Sequence, residues 1–487
     1  MELLFETRLD VLRVAGNMHF FVRKPSVSPE PVLTGDTDVD NRGVHIYGSV
    51  HHDGGRYRMW YQATAEPWIR HDSPAVGYAE SDDGIVWRKP SLGLVEVNGS
   101  KANNLCDLGV HDPSICILPD TTPDRRYFAT GCIDARYQTE FYHRDARPPL
   151  GGGFYAAYSA DGLHWELESP DPIWQGHWAD NICSVRHPAR NCLQVLAKHT
   201  GSRFATMRRN YWECKRVGDA WTPLRMSLIP DEFDDVAARA RGYTSGDYNG
   251  FGLLPAGRAT VAFIQTHRNR LPYKPHPCGR GCGVYGALDM TLAWQEDDGA
   301  CWVHMPGRPD FVSHLEVPWA TGMLFCASNV CEFGDEQRLY ISGSHESHGV
   351  IPFGGRHDPN KIGYLSWPKW RLFGFHADDE GELDIDLGIL TEPSELRLNY
   401  EALYGGNIRV EIHTLGKYQR RQDFKNIDGR FPEDCIPLTG DSLCEGVRWR
   451  GGRVIQPVEG QRVVARLHMQ RAKVYAYEMR PCKEAPI

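Results

Sequence analysis

The sequence predicts an all-β protein, a five-bladed β-propeller followed by a β-sandwich domain. Three observations carry this expectation. A short turn motif recurs along the chain, the same succession of strands surrounds it five times, and after residue 378 the repeat gives way to a different strand pattern. Composition agrees, since 49 glycines, 32 prolines and 11% aromatic residues suit many short strands and turns better than long helices.

The turn motif is Ser81-Asp82-Asp83-Gly84-Ile85-Val86-Trp87. It returns as Ser159-Ala160-Asp161-Gly162-Leu163-His164-Trp165 and as Glu296-Asp297-Asp298-Gly299-Ala300-Cys301-Trp302. Asp-Gly makes a tight turn and the Trp opens the next strand. A third unit carries Gly218-Asp219-Ala220-Trp221 in its place, and a fifth is degenerate and ends near Phe375.

Outward from these anchors, first strands are expected over 44–50, 114–118, 182–185, 250–254 and 328–332, and second strands over 57–61, 127–131, 193–197, 260–265 and 338–342. Third and outer strands complete each unit. Five such units point to a propeller, in which radial packing protects the sheet edges. Residues 40–378 form this propeller, taken as catalytic, and 1–39 form an extension that packs on it and supplies a closing strand. One short helix is expected over 233–240. From 379 to 487, apolar or alternating runs over 383–390, 396–401, 407–412, 446–449, 463–467 and 474–479 suit an antiparallel sandwich.

Several function classes fall away. A formal net charge of −9 argues against nucleic acid or an anionic membrane as partner. No run is long enough to span a bilayer, and no basic segment precedes an apolar one at the N-terminus. The 14 cysteines lack a tight framework and read as free thiols of a reducing compartment, so a cytoplasmic location is expected. Cys278-Gly279-Arg280-Gly281-Cys282 has too few companions for a structural zinc, and no phosphate-binding glycine loop or nucleophile elbow is present.

The innermost strand of each blade begins near the propeller axis, so residues just before those strands converge. That position holds Asp40 (followed by Asn41), Asp112 (after His111), Asp180 (after Trp178-Ala179) and Asp247, while the fifth unit has Trp319-Ala320-Thr321-Gly322. Crowded carboxylates raise one another's pKa, which lets one stay protonated while another is ionised. Cleavage of a glycosidic bond needs that division between acid and base. The second strands return to the same rim with Glu66 and Trp68, Asp134 and Arg136, His199, His267 and Arg268, and His345-Glu346-Ser347-His348. Such charged and aromatic groups suit a sugar's hydroxyls and ring face, and Glu346 between two histidines is a further candidate acid.

The pattern Tyr57-x-Met59-Trp60-Tyr61, the Ser-x-Asp-Gly-x-x-Trp repeats and Asp112-Pro113-Ser114 resemble the furanosidase-type propellers of glycoside hydrolase families 32, 43 and 68, in particular family-32-like bacterial proteins with a C-terminal β-sandwich. The resemblance implies Asp40 as nucleophile or base, Asp112 as the orienting carboxylate and Asp180 as proton donor. The Asn-Asp-Pro-Asn and Glu-Cys signatures of family 32 are absent, which leaves Glu346 and Asp247 open as the acid.

The expected activity is therefore cleavage of a small saccharide or glycoside without an organic cofactor. A phosphorylase or lyase on the same scaffold is the nearest alternative, with Arg136, Arg268 or Arg270 as phosphate ligands; a non-catalytic carbohydrate-binding propeller is the other. A divalent cation held by His345 or His348 stays open, and exposed sandwich edges leave room for a homo-oligomer.

Overall fold

The structure, a computed structural model, describes residues 1–6, 8–65, 75–119, 121–133, 152–175, 180–203, 206–270, 285–297, 299–349, 358–415 and 425–482. The chain forms two compact units. One comprises Pro25–Phe333 and Gln337–Ser366; the other comprises Met1–Lys24, Gly334–Glu336 and Trp367–Ile487.

The first unit is the five-bladed propeller. Its blades are built on the antiparallel series Gly43–Asp53, Arg56–Thr64 and Val76–Ser81; His111–Ile117, Tyr127–Ile133 and Gly153–Ser159; Ile182–His187, Cys192–Arg203 and Thr206–Val217; Ser245–Ala256, Ala259–Asn269 and Gly286–Gln295; and Met323–Cys326, Glu336–Ser344 and Lys361–Pro368. The five first strands touch one another in order, and the fifth returns to the first. Serines satisfy the backbone where these strands crowd the axis: Ser49 Oγ accepts from Ile115 N at 2.8 Å, and Ser114 Oγ accepts from Ser184 N at 2.8 Å.

The recurring motif has a local physical basis. Ser81 Oγ accepts from Gly84 N at 2.8 Å, and Asp83 Oδ1 accepts from Ile85 N and Val86 N, each at 2.8 Å. Ser159 and Asp161 repeat this around Gly162, and both glycines take positive φ, +69° and +80°. The motif also joins blades. Trp60 Nε1 of the first blade donates to Gly162 O of the second at 2.7 Å, and Tyr340 OH of the fifth donates to Gly84 O of the first at 2.7 Å.

Three expectations are corrected. The fifth inner strand is Met323–Cys326 continued by Cys331–Phe333, so the expected 328–332 covers only its second part. The first strands of blades two and four begin early, which puts Asp112 and Asp247 inside strands while Asp40 and Asp180 precede theirs. The four aspartates are therefore not in equivalent places. Residues 1–39 also divide: Ser26–Val27 pairs with Leu365 and Ser366 as the outer strand of blade five, whereas Val11–Val22 pairs with Phe373–Gly388 in the other unit. The expected helix is present as Glu232–Arg239, capped by Asp231 and Asp234 in a capping box.

The second unit is one nine-stranded antiparallel sheet. Its spine is Arg462–Pro481, a single strand where two were expected. The first half of this strand pairs with Asn407–Leu415 and the second half with Ser394–Ala402. Alternate residues of all these strands, among them Leu396, Leu398, Ile408, Val410, Ala465 and Leu467, form one buried core. Every described cysteine is a free thiol. Among the described residues no helix is long and apolar enough to cross a membrane.

Candidate active site

At one end of the inner strands, side chains from different blades meet in a connected polar network. Asn181 Nδ2 donates to Asp112 Oδ2 at 2.5 Å, and the Tyr211 hydroxyl lies 2.7 Å from Asn181 Oδ1 and 2.8 Å from Asn249 O. Lys198 Nζ donates to Asn249 O at 3.0 Å and forms an ion pair with Asp180. Asn249 Nδ2 donates to the Tyr47 hydroxyl at 3.1 Å, and Arg209 Nη1 donates to Asn249 Oδ1 at 2.7 Å. Arg209 also lies 3.4 Å from His267 Nδ1, and the His267 and His348 rings are 4.8 Å apart.

The strands explain these directions. Asp112 sits where the register shifts between His111 and Ser114, with φ +59° and Pro113 after it. A non-glycine residue in that left-handed conformation is uncommon and is held by its surroundings. Its own N–H donates to Gln62 Oε1 at 3.2 Å. Gly286 makes room for His267, because a Cβ there would stand 3.1 Å from His267 Nε2 and 1.9 Å from Arg268 O.

The two carboxylates have opposed electrostatics. Burial and then the neighbouring Asp180 charge push Asp112 well above the ordinary carboxylate range, outweighing the Asn181 hydrogen bond and Lys198. For Asp180 the crowded surroundings also oppose ionisation, but Lys198, His111 and Arg209 together outweigh them and hold it well below that range. Asp112 is buried, whereas the Asp180 side chain is 51% exposed, so the ionised group is the one open to a ligand. Burial and the two carboxylates push the Tyr47 and Tyr211 phenols well up. Burial, Arg209, His348 and Lys198 hold His267 well down, so it stays neutral.

Not every expected residue joins this network. Asp40 is fully buried and engaged on both oxygens: Oδ1 accepts from Asp36 N, Thr37 N and Thr37 Oγ1, and Oδ2 from Tyr61 OH at 2.8 Å and Lys89 Nζ at 2.6 Å. Asp247 is fully buried and pairs with Arg208 Nε at 2.7 Å. Glu346 Oε1 accepts from Asp358 N at 3.2 Å, and His345 lies 3.0 Å from Thr321 Oγ1. His199 packs on the Trp212 ring, and Asn41 is exposed. Arg268 is tied to Asp289 and Asp310, and so is engaged apart from any phosphate. Glu66, Trp68, Asp134, Arg136, Trp178, Cys278 and Cys282 lie outside the described residues.

The sequence reading missed Lys198, Arg209, Tyr47, Asn181, Tyr211 and Asn249. One signal was present: Lys198 closes an apolar run, Val195-Leu196-Ala197, where a buried lysine requires an anionic partner.

The fold class is thus a five-bladed propeller with an added antiparallel sheet. No family model matches the chain, and no curated protein does. Among solved structures it is similar to a glycosyl hydrolase from Bacteroides ovatus, with 13% identity and a TM-score of 0.47 over 72% of this chain and 95% of that one. It is also similar to a structure from the GH130 family of mannoside phosphorylases, which contains glycoside hydrolases that target β-1,2 mannosidic linkages in Candida mannan (13% identity, TM-score 0.46, 74% of this chain and 96% of that one). A third is the α-L-arabinofuranosidase PaAbf62A from Podospora anserina in complex with cellotriose, at 7% identity and a TM-score of 0.43, over 71% of this chain and 98% of that one.

Proposed function

We propose that this chain is a carbohydrate-active enzyme that cleaves a glycosidic or closely related sugar bond of a small saccharide. In this reading Asp180 is the ionised base or nucleophile and Asp112 is the proton donor. One observation supports it above others: two neighbouring carboxylates, from adjacent blades, are driven in opposite directions by their surroundings. Asp112 keeps its proton for the leaving oxygen, while Lys198 keeps Asp180 charged for the opposite face of the sugar. Tyr47 and Asn249 offer polar groups at the same place for substrate hydroxyls. Asp40, the nucleophile implied by family resemblance, is assigned here to bracing, because both of its oxygens are already engaged.

The test is a panel of aryl glycosides that differ in leaving-group acidity. Asp180→Asn should abolish turnover on all of them. Asp112→Asn should lose most turnover on poor leaving groups and far less on dinitrophenyl glycosides, which need no protonation. Equal, wild-type turnover in both variants would end the proposal.

Phosphorolysis is the second reading, favoured by the cations Lys198 and Arg209 beside the carboxylates. Turnover that requires inorganic phosphate and releases a sugar phosphate would decide for it.

A further inference from the structure

The second unit carries a group of metal-ligating side chains that the activity proposed above does not use. His19, on Val11–Val22, stands directly opposite His376, on Phe373–Gly388. Asp378 follows His376 by two residues, so the pleat returns it to the same face. His19 Nδ1 is 3.4 Å from Asp378 Oδ2, and His376 Nδ1 is 3.3 Å from Asp378 Oδ1. One ligand atom from each residue lies within 4.8 Å of the other two.

These separations are informative. An imidazole hydrogen-bonded to a carboxylate sits at about 2.7–2.9 Å. Two ligands bound to one tetrahedral zinc at about 2.0–2.1 Å sit about 3.4 Å apart. Each imidazole faces its own oxygen of Asp378 at a separation longer than such a hydrogen bond and close to that of co-ligands, the arrangement of a carboxylate that offers both oxygens. The His19 and Asp378 side chains are 49% and 52% exposed, which leaves the open side to solvent. Lys473, opposite His376 on the next strand, is the cation that would oppose a metal here. It stays close enough to His376 to act on it electrostatically, with its charge offset by Glu401 at 3.7 Å and its ammonium 5.5 Å from the centre of the Phe21 ring.

We propose that His19, His376 and Asp378 bind a divalent cation of the zinc class, with water completing its shell. Two imidazoles and one carboxylate suit zinc, nickel, copper or cobalt over calcium and magnesium, which prefer oxygen ligands alone. The ion would clip the strand Val11–Val22 to Phe373–Gly388.

The experiment is calorimetric titration of zinc chloride into the chelator-treated full-length chain. One site per chain is expected, weakened by more than about tenfold in both Asp378→Asn and His19→Ala. His164→Ala should change nothing, because His164 is outside this group and its ring pairs with Asp161 at 2.8 Å. Zinc should also raise the melting temperature of the unaltered chain and not of the two variants. Affinity weaker than about 1 mM, or unchanged in both variants, would overturn the proposal. Should a variant fail to fold, cobalt(II) bound to the unaltered chain decides: a d–d spectrum of nitrogen ligation supports the site, and a spectrum like that of aqueous cobalt overturns it.

Discussion

Lys89 Nζ lies 2.6 Å from Asp40 Oδ2, with the carboxylate fully buried and the lysine side chain 8% exposed. This ion pair makes Asp40 a brace between the segment before blade one and the loop that follows its third strand. Asp40→Asn should therefore cost stability, about 2–3 kcal/mol, because the buried side of Lys89 loses its charged partner and keeps the Thr34 carbonyl at 2.7 Å and the exposed Asp36 at 2.6 Å. Urea unfolding measures it. A variant of full stability and no turnover would instead assign Asp40 to the chemistry.

Asp112→Asn should make the protein more stable at neutral pH. The Asp112 pKa is raised in the folded chain by burial and by Asp180, so its favourable contribution is complete below the ordinary carboxylate range and is lost as pH rises through the raised value. Above the ordinary carboxylate range the unfolded chain releases the Asp112 proton while the folded chain must hold it, and the asparagine carries no such cost. A gain of about 1 kcal/mol or more is expected, with a flatter stability profile above pH 4. Unfolding series across pH check both.

The same pair sets the pH dependence of turnover. Activity needs Asp180 ionised and Asp112 protonated, so the acid limb should fall below the ordinary carboxylate range and the alkaline limb above it. Lys198→Met removes the leading cation beside Asp180 and should move the acid limb upward. A kcat/KM profile of that variant unchanged from wild type would contradict the role of Lys198.

Asp289 is a structural counterpart. Burial opposes its charge, but the His314 hydrogen bond and Arg268 outweigh burial and bring its pKa down to about 2. Its contribution is present above the ordinary value and is lost as pH falls through about 2. Asp289→Asn should lose about 2 kcal/mol at pH 7 and correspondingly less in strong acid, as acid-titrated unfolding will record.

Gly162→Ala should weaken the propeller by about 2–4 kcal/mol. The residue has φ +80°, and a Cβ there would stand 2.7 Å from Trp60 Cζ2 of the neighbouring blade. The comparison is Gly218→Ala, also at positive φ but with open space around it, which should cost less.

The repeat was legible because its causes are local. Asp-Gly turns, alternating strands and the short helix near 233–240 depend on residues a few positions apart, and these elements appear where expected. Strand ends were less legible. His111–Ile117 and Ser245–Ala256 begin upstream of their apolar runs because partner strands extend the pairing, which the residues themselves do not announce.

Of the site, the aspartate positions were visible and their roles were not. Asp40, Asp180 and Asp247 all read as a carboxylate near the start of a first strand, yet each meets a different cation: Lys89, Lys198 and Arg208. Each cation comes from a segment some 18 to 49 positions away, so its choice of partner is a matter of spatial packing. The sequence by itself determined the five blades, the turns that join them and the acidic residues near the axis. Only the tertiary structure decided which carboxylate is braced, which is buried with its proton and which is left charged and open, because burial and through-space charge set ionisation and neither is a property of neighbours along the chain.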